Sequence, residues 1–172
     1  MKTFRRHKNK YMSRLSFFLP ALSKHLISSY TPLEFTDVPW APITKSLSTS
    51  KIALVSTAGI HHRYQKPFDM VDSDGDPTFR IIDSKTIEEN FLITHDYYDH
   101  RDADKDLNIV FPVTRLREMA VAKIIGSIAE HHYSFMGHIT GPHIRELIEK
   151  SAPAAAGELL QDHVDTVLLT PG

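Results

Sequence analysis

Apolar and polar residues alternate along this chain in two rhythms, one with the period of a helix and one with the length of a buried strand. Tyr11, Leu15, Phe18, Leu22 and Leu26 follow one another at spacings of four, three, four and four. That spacing predicts an amphipathic helix over residues 10–30, kinked or restarted at Pro20. Residues 31–50 hold Pro32, Pro39 and Pro42 around Trp40. Proline restricts both itself and the residue before it, so this stretch reads as an extended linker lying on the body and anchored by the indole. The run Lys51-Ile52-Ala53-Leu54-Val55-Ser56-Thr57 is continuously apolar over a strand's length, and Ala58-Gly59 then turns the chain. A second such run covers residues 164–170, and shorter apolar segments lie at 108–113 and 124–129. Unbroken apolar runs of this length belong to strands of a parallel sheet covered on both faces. Helical periodicity separates them at 114–125, 142–149 and 152–162.

The expected fold is therefore α/β: a single layered domain with a mostly parallel sheet over 51–172, preceded by the helix of 1–30 and the linker of 31–50. In such sheets ligands bind outside the carboxyl ends of the strands. A chain of 172 residues with 41% hydrophobic content has the size and the core of one domain. We find no internal repeat and no low-complexity tract.

Charge changes the picture at the N-terminus. Seven of the 20 Lys and Arg fall in residues 1–30, where no acid occurs, which leaves 13 basic against 21 acidic residues in the rest. A basic arm on an acidic body is the result, and docking on that body is the simplest reading. Leu15, Phe17, Phe18 and Leu19 form too short a run to cross a bilayer, and no cleavage site follows before Tyr30, so a cytoplasmic location is expected. The chain has no cysteine. That excludes disulfides, zinc fingers, iron–sulfur ligation and a cysteine nucleophile within these residues.

Candidate chemistry lies in three places. The strand-to-turn junction Ser56-Thr57-Ala58-Gly59-Ile60-His61-His62 supplies hydroxyls, a flexible glycine and imidazoles at a ligand-binding position, although neither glycine-rich phosphate motif occurs. The segment His95-Asp96-Tyr97-Tyr98-Asp99-His100-Arg101-Asp102-Ala103-Asp104 is the most polar. On a helical turn His95, Asp99 and Asp102 share one face and Asp96 and His100 another, suited to proton transfer or metal binding. It departs from the metal signature H-x-H-x-D-H at Tyr97, so no metal ligands are assigned. The third is His131-His132-Tyr133-Ser134-Phe135-Met136-Gly137-His138, with Gly141-Pro142-His143 opening a helix. A strand end followed by a helix start can bind a carboxylate. By contrast, Asp72-Ser73-Asp74-Gly75-Asp76-Pro77 fails as a calcium loop, because Pro77 breaks the pattern and the flanks are not helical, and it reads as a structural turn.

These segments, together with Pro67-Phe68-Asp69 and Val110-Phe111-Pro112 and in this order, resemble the glycine/sarcosine/betaine reductase selenoprotein B family, to which the D-proline reductase selenocysteine subunit is related. The resemblance covers most of residues 35–172. It implies a cytoplasmic reductase subunit that cleaves or opens a carbon–nitrogen bond of an amine-bearing molecule, with a selenocysteine or cysteine nucleophile and a dithiol as the final reductant. The family's reactive residue follows its last strand, so the selenocysteine or cysteine is expected just after Gly172, the domain being incomplete there, and no other cofactor is expected in this chain. Implied partners are a small amine, other reductase subunits and a thioredoxin-type reductant. Nucleic acid and a membrane span are not expected, and oligomeric state stays open. Matching positions nominate His95, Asp99, His100 and His138 for catalysis, where an imidazole would lower the nucleophile's pKa or protonate the leaving amine. Thr57, Gly59, His61, Tyr133, Ser134 and Gly137 are nominated for substrate binding. Two other classes remain: a metal-dependent hydrolase using His95, Asp99, His100 and a further histidine, and a non-catalytic ligand-binding subunit.

Overall fold

The computed structural model describes residues 41–86 and 90–172, with His7, Lys8, Tyr11, Met12 and Leu15 from the N-terminal region. Those five have helical backbone. The rest of the expected helix of 1–30, and the linker as far as Trp40, lie outside the described residues. The described end of the linker, residues 41–49, is exposed rather than packed by its side chains. It is tied down by Lys45 Nζ on Asp165 at 2.6 Å and by the Gly126 N–H on Leu47 O at 2.9 Å.

The domain begins at β1 (Lys51–Ser56), the first of the two apolar runs. β2 (Ile60–His62), β3 (Phe79–Asp83), β4 (Phe91–Ile93), helix α1 (Val113–Val121), β5 (Ser127–Ile128) and β6 (His131–Phe135) follow. Helices α2 (Pro142–Glu146) and α3 (Ala152–Gln161) then lead to β7 (Thr166–Thr170), the second apolar run. β1 is central and pairs parallel with β7 on one side and with β5 and β6 on the other. β3 closes the far edge antiparallel to β6. A second sheet is only β2 against β4. The sheet is therefore mostly parallel, as the two apolar runs required.

Alternation along β1 explains the layering. Ile52 and Leu54 point into a core with Ile82, Phe111, Val113, Leu116 and Ile125, under α1. Val55 points to the other face and packs with Tyr133, Phe135, Phe79 and, from the helical side, Leu147, Ala155 and Leu159. The apolar segment at 108–113 is no strand: it forms a 3-10 turn (Leu107–Ile109) and the start of α1, with Asp106 accepting the Asn108 N–H at 3.0 Å. The two C-terminal helical stretches run together through a π-helical turn (Leu147–Ser151). Pro153 explains it. Its missing N–H and its ring disturb the carbonyl one turn earlier, and a widened turn accommodates both.

Along β1, Lys51 and Ile52 pair with Ser127 and Ile128, whereas Val55 and Ser56 pair with Tyr133 and Ser134. Three steps on β1 thus match five on its partner, so two extra residues bulge out. The bulge deprives the Leu54 N–H of a strand carbonyl, and His132 Nδ1 accepts it instead at 3.1 Å. The acidic loop is a structural turn. Asp69, Asp72 and Asp76 accept backbone N–H groups, and Asp76 pairs with Arg80.

Candidate functional site

The carboxyl ends of β1, β6 and β7 meet at one edge of the sheet. There Thr57 is exposed, donates its N–H to Thr170 O at 3.0 Å, and accepts the Gly172 N–H on Oγ1 at 3.2 Å. Gly59 makes the turn beyond β1 with φ of 71°, a left-handed conformation, and a Cβ there would stand 2.5 Å from Thr94 O. Gly137 leaves β6 exposed to solvent; a Cβ on it would lie 3.0 Å from Thr57 O and 3.4 Å from both His95 Nε2 and Thr57 Cβ.

His95 reaches this edge from the loop after β4. It is 5% exposed, and its ring meets Tyr98 edge-on at 4.7 Å and Tyr97 at 5.9 Å. Its Nδ1 accepts the Tyr97 backbone N–H at 3.1 Å, which assigns the neutral ring's proton to Nε2. Burial, reinforced by His138 and His100 and opposed by Asp96, holds its pKa down at about 4. At neutral pH it is an uncharged donor. Tyr98 donates its hydroxyl to Ala58 O at 3.2 Å, and burial pushes its own pKa well above the usual range. His138 stacks on the Tyr97 ring at 3.8 Å and contacts Ser73 O through Nε2 at 3.1 Å.

The remaining candidates separate. Residues 95–105 are bends and turns, so the shared helical faces do not form. Asp99 holds Arg101, with Oδ1 accepting from Nε at 2.8 Å, and His100 Nδ1 lies 2.8 Å from Asp104 Oδ2. These pairs turn Asp99 and His100 toward their own neighbours along the loop. Among the described residues no three His, Asp or Glu side chains gather as metal ligands would. His61 is buried with both ring nitrogens occupied, Nδ1 by His62 O at 2.8 Å and Nε2 by the Thr94 hydroxyl at 2.9 Å. Ser134 is buried, accepting the Ile60 N–H at 2.8 Å, and Tyr133 is fully buried under α3. These three support the fold instead of facing the edge. The edge thus gathers Thr57, Gly59, Gly137 and His95, with His138 behind Tyr97. Sequence reasoning missed Tyr97, whose contribution is a backbone N–H two residues after His95 and carries no side-chain signature.

Fold and edge define a class: an α/β domain with a mostly parallel sheet, a fold that generally takes ligands outside the carboxyl ends of its strands. Residues 21–172 match the family described as glycine/sarcosine/betaine reductase selenoprotein B (GRDB), and the chain belongs to that family. It is 34% identical over 143 residues to the D-proline reductase subunit gamma of Acetoanaerobium sticklandii, which covers 83% of this chain and 57% of that protein. It is 32% identical over 140 residues to the glycine reductase complex component B subunit gamma of Carboxydothermus hydrogenoformans, covering 79% of this chain and 31% of that one. The sarcosine reductase complex component B subunit beta of Peptoclostridium acidaminophilum is 28% identical over the same shares, 79% and 31%. The chain thus spans little more than half of the first relative and under a third of the other two. No solved structure matches it. Among the described residues no helix is long and apolar enough to cross a membrane.

Proposed function

We propose that this chain forms the substrate-facing α/β part of a cytoplasmic reductase subunit that reductively cleaves or opens a carbon–nitrogen bond in a small amine-bearing molecule. The observation that carries this reading is the strand-end edge, where His95, its Nδ1 taken by the Tyr97 N–H, stands beside Thr57 and Gly137. Membership of the family and the reductase names of the relatives support it. In the reaction the carbon–nitrogen bond breaks, carbon and nitrogen each gain one hydrogen, and a dithiol supplies the two electrons and two protons and becomes a disulfide. With no cysteine among these residues, the nucleophile has to come from a selenocysteine or cysteine outside them. Gly172 rests against Thr57, so a selenocysteine or cysteine supplied just after it would enter beside His95. Other reductase subunits and a thioredoxin-type dithiol are the partners this reading requires.

Two measurements test it. Reading the coding DNA past codon 172 should show an in-frame UGA or a Cys codon within a continuing frame; a UAA or UAG with no further frame overturns the assignment of the nucleophile. The nucleophile-bearing protein, assembled with its partner subunits, should consume dithiothreitol only when glycine, sarcosine, betaine or proline is added. Substrate-independent consumption, or none, overturns the reductase reading.

A further inference from the structure

We propose that the acidic turn of residues 69–76 is a positioning device for His95: it holds His138 against Tyr97, and the Tyr97 backbone N–H fixed in this way decides which nitrogen of the His95 ring carries the hydrogen. The turn is stiff by itself. Asp69 Oδ1 accepts the Val71 N–H at 2.7 Å, Asp72 Oδ1 the Asp74 N–H at 2.9 Å, and Asp76 Oδ2 the Asp69 N–H at 3.0 Å. It is also tied to the chain that leaves β6. Asp74 O accepts the Thr140 N–H at 2.8 Å and Asp74 Oδ1 the Thr140 hydroxyl at 3.0 Å, while Gly75 bridges antiparallel to Ile139. Gly75 runs so close to that chain that a Cβ on it would overlap the His138 carbonyl oxygen. Between these ties Ser73 O accepts the His138 Nε2–H at 3.1 Å, and Asp72 Oδ2 accepts from His143 Nε2 at 3.0 Å.

His138, placed by these contacts, lies flat on Tyr97, with 3.8 Å between ring centroids and 17° between planes. Tyr97 also packs against Phe68 and Met70, at the start of the turn, and against Met136, just past β6. A side chain gripped in this way fixes its own backbone, and the Tyr97 N–H meets His95 Nδ1 at 3.1 Å. Which imidazole nitrogen keeps the hydrogen is set by what the other one meets, so a donor fixed at Nδ1 leaves the hydrogen on Nε2. The charges that bear on the ring come from His138 and His100, which oppose its protonation, and from Asp96, which favours it. The use of His95 in turnover rests on the reductase reading above; its positioning by the turn does not.

The full 172-residue chain, labelled with 15N, provides the test. Long-range proton–nitrogen spectra at pH 7 should show His95 in the Nε2–H form alone. His138→Ala removes the ring on Tyr97. It should admit the Nδ1–H form, raise the midpoint of His95 titration by about one pH unit and speed Tyr97 amide exchange about tenfold. His138→Phe also lacks the His138 charge but keeps a ring, and should return all three toward wild type. Gly75→Ala, which forces the turn off the His138 carbonyl, should act like His138→Ala with His138 intact, and Thr140→Val, which removes one tie at nearly constant volume, should act in the same direction by less. Leu54→Ala loosens the core elsewhere and should leave His95 unchanged. An Nδ1–H form in the wild-type chain, no difference between His138→Ala and His138→Phe, a His95 unmoved by Thr140→Val, or the same changes in Leu54→Ala each overturns the positioning. If Gly75→Ala does not fold, the other variants decide. Turnover by the nucleophile-bearing assembly is read separately, and its absence removes the reductase reading while leaving the positioning in place.

Discussion

His132 offers the most quantitative check on this structure. Its ring is fully buried, meets Phe111 edge-on at 5.7 Å, and accepts the Leu54 N–H in place of a strand carbonyl. Burial, with smaller contributions from Arg117 and His131 against Asp83, lowers its pKa from 6.5 to about 4. An unfolded chain takes up this proton near pH 6.5 and the native state only near 4, so stability is complete above 6.5 and is withdrawn as pH falls toward 4. At about 1.4 kcal/mol per pH unit, this one ring removes about 3 kcal/mol across that window. His95 titrates in the same direction with a pKa of about 4, so wild type carries both losses and only a difference between proteins isolates His132. His132→Asn places an amide oxygen near the Nδ1 position and cannot titrate. It should cost about 1–3 kcal/mol at pH 7.5, from lost volume beside Phe111, yet lose about 3 kcal/mol less than wild type between pH 6.5 and 4. Urea unfolding followed by circular dichroism at half-unit pH steps measures both quantities. Equal pH slopes in the two proteins would refute the assignment of His132 as a neutral acceptor inside the sheet.

Other parts of the fold give further expected outcomes. α1 and α3 each end on a non-glycine residue in the left-handed region, Lys123 at φ 59° and His163 at φ 54°, with the N–H groups of Ile124 and Val164 reaching back to Met119 O and Leu159 O. Lys123→Gly and His163→Gly should each stabilise by about 0.5–1 kcal/mol and add in the double variant, read as a raised melting temperature. Asp76 and Arg80 form a largely buried pair, and Asp76 also receives the N–H groups of Asp69 and Thr78. Although burial alone would raise its pKa, the Thr78 hydroxyl, these N–H groups and Arg80 hold the Asp76 carboxyl below the usual range. Asp76→Ala should cost about 3–5 kcal/mol in urea unfolding, and a loss under 1 kcal/mol would show that the pair does not anchor the loop. Leu54→Ala, in the middle of the central strand, should cost about 2–5 kcal/mol by the same assay.

The sequence displays its parallel core because burial on both faces leaves an unbroken apolar signature: β1 and β7 stand where the runs at 51–57 and 164–170 lie. Gly59 was legible for a similar reason, since the end of a buried strand needs a tight turn. β2, β4 and β5, of two or three residues, are too short to carry a period. The histidines divide for a physical reason that spacing does not encode. An imidazole can fill a hydrogen-bonding gap in the backbone, as His132 does for Leu54 and His61 does between His62 and Thr94, or it can stand at an opening like His95. Clustering in sequence finds all of them and sorts none. Tyr97 completes His95 through its backbone, where side-chain identity is silent.

The pairing of β7 with β1 bears on how this domain comes to exist. The two strands are neighbours in the sheet, yet the link from Lys51 to Asp165 at their start spans 114 residues of chain. Closing a loop of that length carries an entropic cost of about 4 kcal/mol before any contact across it returns stability. During synthesis, β1 keeps one side unpaired until residues 166–170 have left the ribosome, and only then can Thr170 O take the Thr57 N–H at the strand-end edge. Substitutions that weaken β7 should therefore show first as slow folding and as aggregation of newly made chains, ahead of any loss in the finished fold.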